Sequence, residues 1–239
     1  FGTTVTGALI YASTIEANTA EDTGGGIFVS AGKVLVDRCA ILENGAGVSG
    51  GGVQATDALT LRNCNVAANH ASLDGGGILV ADSGALVENC TVVGNNIDTV
   101  DLPESGAGIS LTANAAVRNT IVWDNMRGEQ VYTNSASPSI SYCCIENWTT
   151  NNNNITNHPA FVPGSYRLTT NSPCVNAGDP TNYPSWDFEG EARPYPSSNT
   201  VDIGADELLD SDSDGMADIW EQENGLNVGT GDGGSDLDG

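Results

Sequence analysis

Hydrophobic and polar residues alternate with a period of two in short runs that fill the first 150 or so residues of the chain. A period of two predicts β-strands, because successive side chains of a strand point to opposite faces. The runs recur about every 25 residues, and each unit begins at a glycine-rich triplet. These triplets start at Gly24, Gly50, Gly75 and Gly106. The pattern therefore predicts a repeated, strand-containing unit.

A second landmark supports the same repeat. Each unit carries a small residue before a short apolar stretch, and an asparagine stands five positions after that small residue. The small residues are Cys39, Cys64, Cys90 and Thr120, and the asparagines are Asn44, Asn69, Asn95 and Asn125. A weaker unit precedes these four and another follows. With two or three strands per unit, we predict an all-β, right-handed parallel β-helix of about six rungs.

The register of the repeat predicts how side chains stack from rung to rung. One outward row alternates in charge and consists of Asp37, Arg62, Glu88 and Arg118. Opposite charges on adjacent strands contribute ~0.2–1 kcal/mol per pair. The asparagines should form another row, hydrogen-bonded amide to amide, at bends where Asn tolerates the left-handed conformation.

Four of the six cysteines share one inward repeat position: Cys39, Cys64, Cys90 and Cys143. We interpret them as free buried thiols, because parallel stacked side chains do not readily give the dihedral angle of a disulfide. Cys144 and Cys174 lie off this row. A disulfide that ties the last rung to the following segment stays open as an alternative.

The composition is strongly acidic, with 31 acidic residues against 7 basic ones, a net charge of −24 and a pI of about 4.1. This excludes a nucleic-acid binder that works through phosphate neutralisation. No apolar run approaches the ~18 residues of a membrane span, so we expect no transmembrane segment. Phe1 opens without a Met or a basic and apolar leader, and both ends look cut. We expect a piece of a longer secreted protein that lies outside the cell or at its surface.

The sequence changes character after the repeat. Residues 149–157 include four consecutive asparagines and are predicted to form a polar loop. The stretches 171–179, 187–194 and 201–207 follow in an order that resembles the choice-of-anchor Q segment of large secreted bacterial β-helix proteins. The resemblance implies a cap over the open end of the solenoid, which would otherwise expose unpaired backbone. Arg193 is expected to be buried there with Asp202 or Asp187.

Residues 210–221 have the spacing of a twelve-residue calcium loop. Aspartates occupy positions 1, 3, 5 and 9, a glycine occupies position 6 and a glutamate position 12. An acidic, solvated linker is the alternative, but it would need neither this glycine nor this glutamate. The predicted Ca²⁺ ligands are Asp210, Asp212, Asp214, the carbonyl of Met216, Asp218 and Glu221.

The same stretch resembles the thrombospondin type 3-like and dockerin-like calcium repeats of bacterial proteins, in which such a loop precedes a Trp-Glu and an Asn-Gly-Leu, here at 220–221 and 224–226. Asp236 and Asp238 resemble the first ligands of a second loop, which the chain does not complete. We therefore predict three domains: β-helix repeats in 1–160, a capping segment in 161–208 and an acidic calcium-binding repeat in 209–239.

These features favour a non-catalytic, calcium-stabilised module for adhesion, glycan contact or extracellular assembly, with a polysaccharide or other copies of itself as partner. Outward aromatics such as Phe28, Trp123 and Trp148 would contact glycans. The alternatives are a polysaccharide lyase or glycoside hydrolase, which rests mainly on fold analogy, and a self-assembling filament or surface-layer subunit. Asp57 and Asp82 form the nearest pair of catalytic carboxylates, but both positions also suit turn capping.

Overall fold

The computed structural model describes residues 7–82, 84–98, 105–134, 137–195 and 199–231. In these residues the strands pair in parallel from coil to coil and form four sheets along a solenoid. Sheet 1 contains β1 (Ala8–Tyr11), β5 (Val34–Asp37), β9 (Leu59–Arg62), β13 (Leu86–Glu88), β17 (Ala116–Arg118) and β20 (Ser139–Ser141). Sheet 2 contains β2 (Thr14–Glu16), β6 (Ala40–Leu42), β10 (Asn65–Ala67), β14 (Thr91–Val93), β18 (Ile121–Trp123) and β21 (Cys144–Ile145).

The other two sheets are shorter. Sheet 3 contains β3 (Thr19–Ala20), β7 (Gly45–Ala46), β11 (His70–Ala71) and β15 (Asn96–Ile97). Sheet 4 contains β4 (Ile27–Val29), β8 (Val53–Ala55), β12 (Ile78–Val80), β16 (Gly106–Leu111) and β19 (Glu129–Thr133). Outside the sheets, the described residues form a 3₁₀ turn (Asn151–Asn153) and a helix, α1 (Asp218–Asn224).

This architecture confirms the predicted all-β parallel solenoid, which has about five turns where the sequence predicted about six rungs. It corrects the number of strands, because a complete coil has four and not two or three. The strands of sheet 3 have only two residues each, which is too short for alternation to be visible in the sequence. The apolar positions of the alternating runs in sheet 1 face the core: Val36, Leu61, Val87 and Val117 are each fully buried.

The asparagine row is present as a continuous ladder. The side-chain amide of Asn44 donates to Asn69 Oδ1 at 3.0 Å, and Asn69 donates in turn to Asn95 Oδ1 at 3.0 Å. Each ladder Oδ1 also accepts the main-chain amide of the preceding ladder residue. The prediction was wrong about the backbone: the left-handed residue is the one before each asparagine, such as Glu43 (φ 54°) or Ala68 (φ 55°).

The charged row pairs as predicted, with Arg62 Nη2 at 2.9 Å from Asp37 and Arg118 Nη2 at 2.7 Å from Glu88. All six cysteines are buried and free, which confirms the thiol interpretation of the inward row. Burial raises the pKa of Cys143 to about 12. The open alternative, a disulfide at Cys144, is not formed in this structure; Cys144 and Cys174 share a buried apolar cluster as thiols.

The end of the solenoid is covered by the asparagine-rich stretch, which we predicted to be a polar loop. The main-chain amide of Tyr142 donates to Asn152 O at 3.0 Å, and that of Ile145 donates to Ile155 O at 3.0 Å. Ile155 returns a hydrogen bond to Cys143 O at 2.8 Å. These bonds satisfy the backbone of the last strands, which would otherwise form an open edge.

Residues 161–208, apart from 196–198, lie along the outer face of sheet 2, and we call them the flank segment. The Phe188 carbonyl accepts from Arg38 at 3.1 Å, the Ala205 amide donates to Thr91 Oγ1 at 3.0 Å, and the Asp179 amide donates to Asn119 Oδ1 at 2.8 Å. The predicted role as an end cap is therefore corrected to lateral cover of several rungs. One outward row of sheet 2 has only uncharged side chains, so this part of the face can be buried: Ala40, Asn65, Thr91, Ile121 and Cys144.

Candidate metal centre

The acidic loop, residues 210–221, folds as a tight turn that leads into α1. Gly215 has φ 96°, a conformation that disfavours other residues. Asp210 Oδ1 accepts the amide of Asp214 at 3.2 Å, and its Oδ2 accepts the amide of Gly215 at 3.1 Å. Helix α1 begins at Asp218 and ends before Gly225, which is left-handed (φ 72°). The local sequence therefore forms a tight loop that leads directly into a short helix.

Three of the six predicted ligands meet in this loop. Asp210, Asp212 and Asp214 each offer a carboxylate oxygen within 4.8 Å of the others. Both side-chain oxygens of Asp212 are buried and accept no hydrogen bond. A buried carboxylate without a donor is costly, because its lost hydration is not replaced. A cation bound by the three carboxylates would compensate this cost.

The other predicted ligands occupy different places. Asp218 is 7% exposed, and its carboxylate accepts from the amide and the hydroxyl of Ser211, which closes the loop on itself. Glu221 is fully buried on α1. Met216 donates its amide to Asp214 Oδ1 at 2.9 Å. Among the acidic ligands predicted, the structure thus groups the first three aspartates, and that group does not include Asp218 and Glu221.

The donor set fits calcium. Aspartate oxygens are hard donors, and Ca²⁺ accepts six to eight of them in flexible geometry, together with carbonyls and water. The described loop offers no thiolate or imidazole, which softer transition metals prefer. Asp210, Asp212 and Asp214 could hold the ion directly, and Glu221 lies in the same loop-helix unit.

The acidic loop is tied to the flank segment by polar contacts. Arg167 Nη1 lies 3.0 Å from Glu223 on α1, and Thr170 Oγ1 donates to Gly215 O at 3.1 Å. The amide of Asp218 donates to Leu209 O at 2.8 Å. An ion in the loop would therefore stabilise its attachment to the flank segment.

A buried ion pair holds the flank segment together. The sequence predicted the arginine of this pair but not its carboxylate partner. Arg193 is buried as expected, but its carboxylate partner is Glu207 at 3.0 Å, with both side chains almost fully buried. Arg193 meets Asp202 only through the main-chain carbonyl of that residue, at 3.3 Å. Burial, reinforced by repulsion from Glu207, raises the pKa of Asp202 to about 7.

The two candidate catalytic carboxylates, Asp57 and Asp82, cap turns. Asp57 accepts the amides of Gly32 and Ala58, each at 2.7 Å, and Asp82 accepts the amide of Gly84 at 2.7 Å. This supports the capping interpretation of both residues. The nearest candidate pair of the sequence therefore has a structural role.

The three outward aromatics have different surroundings. Phe28 is 52% exposed, whereas Trp148 packs against the solenoid core. Trp123 makes an edge-on contact with His158, with ring centroids 5.4 Å apart. Trp123 and His158 line a groove of about 450 Å³ together with Phe161 and Tyr166. Sequence reasoning missed this groove because its walls come from distant parts of the chain.

Two further predictions concern the chain as a whole. Asp236 and Asp238, the start of the second loop, lie outside the described residues, and the predicted domain boundaries stay predictions. Among the described residues, no helix is both long and apolar enough to cross a bilayer.

Comparison with known proteins supports the solenoid. The family model for the right handed beta helix region matches residues 2–122, which is about half of the chain. Neither the curated proteins nor the solved structures contain a match. The match covers most of the stacked strands of the four sheets, and the chain belongs to the right-handed β-helix family.

Proposed function

We propose that the chain is a non-catalytic, extracellular or cell-surface β-helix module whose C-terminal side is held in place by Ca²⁺. The observation that carries the proposal is the cluster of Asp210, Asp212 and Asp214, in which both oxygens of Asp212 are buried without a donor. Extracellular modules commonly bind Ca²⁺ with Kd values of about 10⁻⁴–10⁻³ M. A loop of this kind is therefore suited to a calcium-rich environment outside the cell.

Calcium in this loop has a mechanical consequence. The loop contacts the flank segment through Arg167 and Thr170, and the flank segment covers sheet 2. Neutralising the aspartates removes their mutual repulsion and holds the loop against that segment. The module is then a rigid solenoid whose flank segment and acidic loop are fixed in place, which suits adhesion or extracellular assembly.

Thermal unfolding with and without Ca²⁺ tests the proposal. A ligand at a hundredfold excess over its Kd stabilises the folded state by about 2.7 kcal/mol. For a chain of this length we expect a rise in Tm of about 5–10 °C. Asp212→Asn, which removes one charge of the cluster, should lose much of this rise.

The matched control is Asp22→Asn, an exposed aspartate in the first part of the solenoid. It should retain the full calcium response of the wild type. If chelator and calcium give the same Tm for the wild-type chain, the proposal is wrong. If Ca²⁺ raises the Tm of the Asp212→Asn and Asp22→Asn variants equally, the acidic loop is not the calcium site.

Among the roles proposed for such a module, glycan contact is favoured by the groove beside Trp123. The groove beside Trp123 combines an aromatic wall with His158 and Asp124, and sugars pack their apolar faces on aromatic rings while polar groups bind their hydroxyls. Affinity electrophoresis in gels that contain polysaccharide should show retardation of the wild-type chain. His158→Ala should reduce it, whereas Phe28→Ala, at an exposed ring far along the chain, should not; equal mobility of all three would contradict glycan contact in this groove.

A further inference from the structure

A second cluster of carboxylates lies between sheet 2 and the flank segment, and it shares no residue with the acidic loop. Asp187, Glu189 and Asp206 each place one carboxylate oxygen within 4.8 Å of the others. Asp187 is fully buried and Asp206 is 8% exposed, whereas Glu189 reaches solvent. Three negative charges at this separation repel one another, and burial strengthens the repulsion.

Main-chain amides hold two of these carboxylates in place. Asp187 accepts the amides of Gly190 and Glu191 at 2.7 Å each through Oδ1, and another amide through Oδ2. Asp206 accepts the amide of Leu168 at 2.7 Å through Oδ2. Amides orient a carboxylate but carry no full charge to neutralise it. The two carboxylates are thus held in fixed positions, and the amides do not neutralise their charge.

A separate observation at the same place points to a ligand. Asn65, on β10 of sheet 2, lines a groove of about 480 Å³ together with Glu189 and Asp206. Asn65 is only 8% exposed, and its Oδ1 is buried and accepts no hydrogen bond. An orphaned buried acceptor costs about 1–3 kcal/mol. Amide oxygens are also ordinary ligands of Ca²⁺.

The arginines near the groove are engaged elsewhere. Arg167 lies 3.4 Å from Glu189 but makes its shorter contact, at 3.0 Å, with Glu223. Arg193 belongs to the buried pair of the flank segment, and Arg38 donates to a main-chain carbonyl and a tyrosine hydroxyl. One long contact does not balance three carboxylates. Burial accordingly raises the pKa of Glu189, and repulsion by the neighbouring carboxylate adds to the effect.

We propose that Asp187, Glu189 and Asp206, with the side-chain oxygen of Asn65, bind a hard divalent cation of the calcium class. All four donors are oxygens: Asn65, Glu189 and Asp206 line the groove, and Asp187 lies within 4.8 Å of the two acidic residues. The groove has room for the waters that complete a shell of six to eight ligands. The donors come from sheet 2 and from two parts of the flank segment. The cation therefore fastens that segment to the side of the solenoid.

Calorimetric titration of the metal-free whole chain with CaCl₂ tests this site separately from the acidic loop. The wild type is expected to bind one ion in the groove in addition to the ion of the loop. Glu189→Gln keeps the size of an exposed side chain, so the fold is retained, and it should lose the groove ion only. Asp212→Asn should lose the loop ion only, and Asp22→Asn should lose neither.

The outcomes separate the two proposals. If Glu189→Gln binds as many ions as the wild type, the groove site is overturned. If Asp212→Asn binds as many ions as the wild type while Glu189→Gln loses one, the loop proposal fails and the groove site stands.

Asn65→Ala gives a second measurement in the Asp212→Asn background. It should weaken the remaining calcium affinity at least severalfold while leaving the metal-free stability unchanged or higher, since the orphaned acceptor is removed. A purely structural role for Asn65 would lower the metal-free stability and leave the affinity unchanged. That result would overturn the assignment of Asn65 as a ligand.

Discussion

The solenoid and the flank segment bury their polar groups in opposite ways. In the solenoid, Asn69 accepts from Asn44 and donates to Asn95, so one residue type serves every coil. In the flank segment no position repeats, and Arg193 is paired with a different kind of residue, Glu207. Both regions bury polar atoms, but only the solenoid repeats the same polar contact from coil to coil along its axis.

The solenoid and the flank segment therefore distribute their stabilising polar contacts differently. In the asparagine ladder the polar contacts are spread equally over the coils. Each is a hydrogen bond between neutral groups, which contributes about 0.5–1.5 kcal/mol to the free energy of unfolding. A buried ion pair concentrates a large electrostatic term in two side chains, and removing one leaves an uncompensated charge. We therefore expect the flank segment to be the more sensitive region to single substitutions.

The largest effect is expected for Arg193→Met. Glu207, at 1% exposure, would lose its counter-charge, and the carbonyls of Asp202 and Gly204 would lose a donor. The free energy of unfolding should fall by about 3–5 kcal/mol, as measured by urea denaturation. Lys33→Met, at an exposed position, is the control and should stay within about 0.5 kcal/mol of the wild type. A loss for Arg193→Met as small as that of the control would contradict the comparison.

The next effect is expected for Asn69→Ala in the middle of the ladder. The side chain is fully buried, and its loss leaves the main-chain amide of Asn44 and one of the two side-chain N–H groups of Asn44 without an acceptor. We expect a cost of about 2–4 kcal/mol, since each orphaned group costs about 1–3 kcal/mol. Asn18→Ala, at the exposed first rung, removes only a donor and should cost less. Equal costs in urea denaturation would contradict the expectation that a buried ladder position contributes more stability than an exposed one.

The smallest effect is a pH dependence of the flank segment. Burial raises the pKa of Asp202 to about 7, so the folded state holds this proton more tightly than the unfolded state does. The stabilisation is complete below the unfolded pKa of about 4 and is lost as the pH rises through the folded pKa. In chelator, stability should therefore fall by about 1–2 kcal/mol from pH 5 to pH 8. Asp202→Asn should flatten this profile; an unchanged slope would assign the effect to another group.

The sequence predicted the solenoid in detail because stacking repeats the same contacts. The inward apolar rows, the free thiols and the pairing of Asp37 with Arg62 and of Glu88 with Arg118 followed from the spacing alone. It failed where an element was too short to show a period, as with the two-residue strands of sheet 3. It also placed the left-handed bend at the ladder asparagines, although the bend lies one residue earlier.

The candidate metal loop was predictable for a related reason. Its ligands lie within twelve residues, so their spacing determines their geometry, and Asp210, Asp212 and Asp214 do come together. The groove cluster was not predictable, because Asn65 is more than a hundred residues from Asp187 and Asp206 in the chain. No local period connects these positions, and only the path of the flank segment across sheet 2 brings them together.

The sequence by itself therefore determined the solenoid and the acidic loop, since both depend on contacts that are repeated or local. Only the tertiary structure decided that the asparagine-rich stretch covers the end of the solenoid and that the flank segment covers its side. It also decided that Arg193 is paired with Glu207. The physical reason is that aperiodic contacts between distant residues depend on how the whole chain packs, and neither composition nor spacing records that packing.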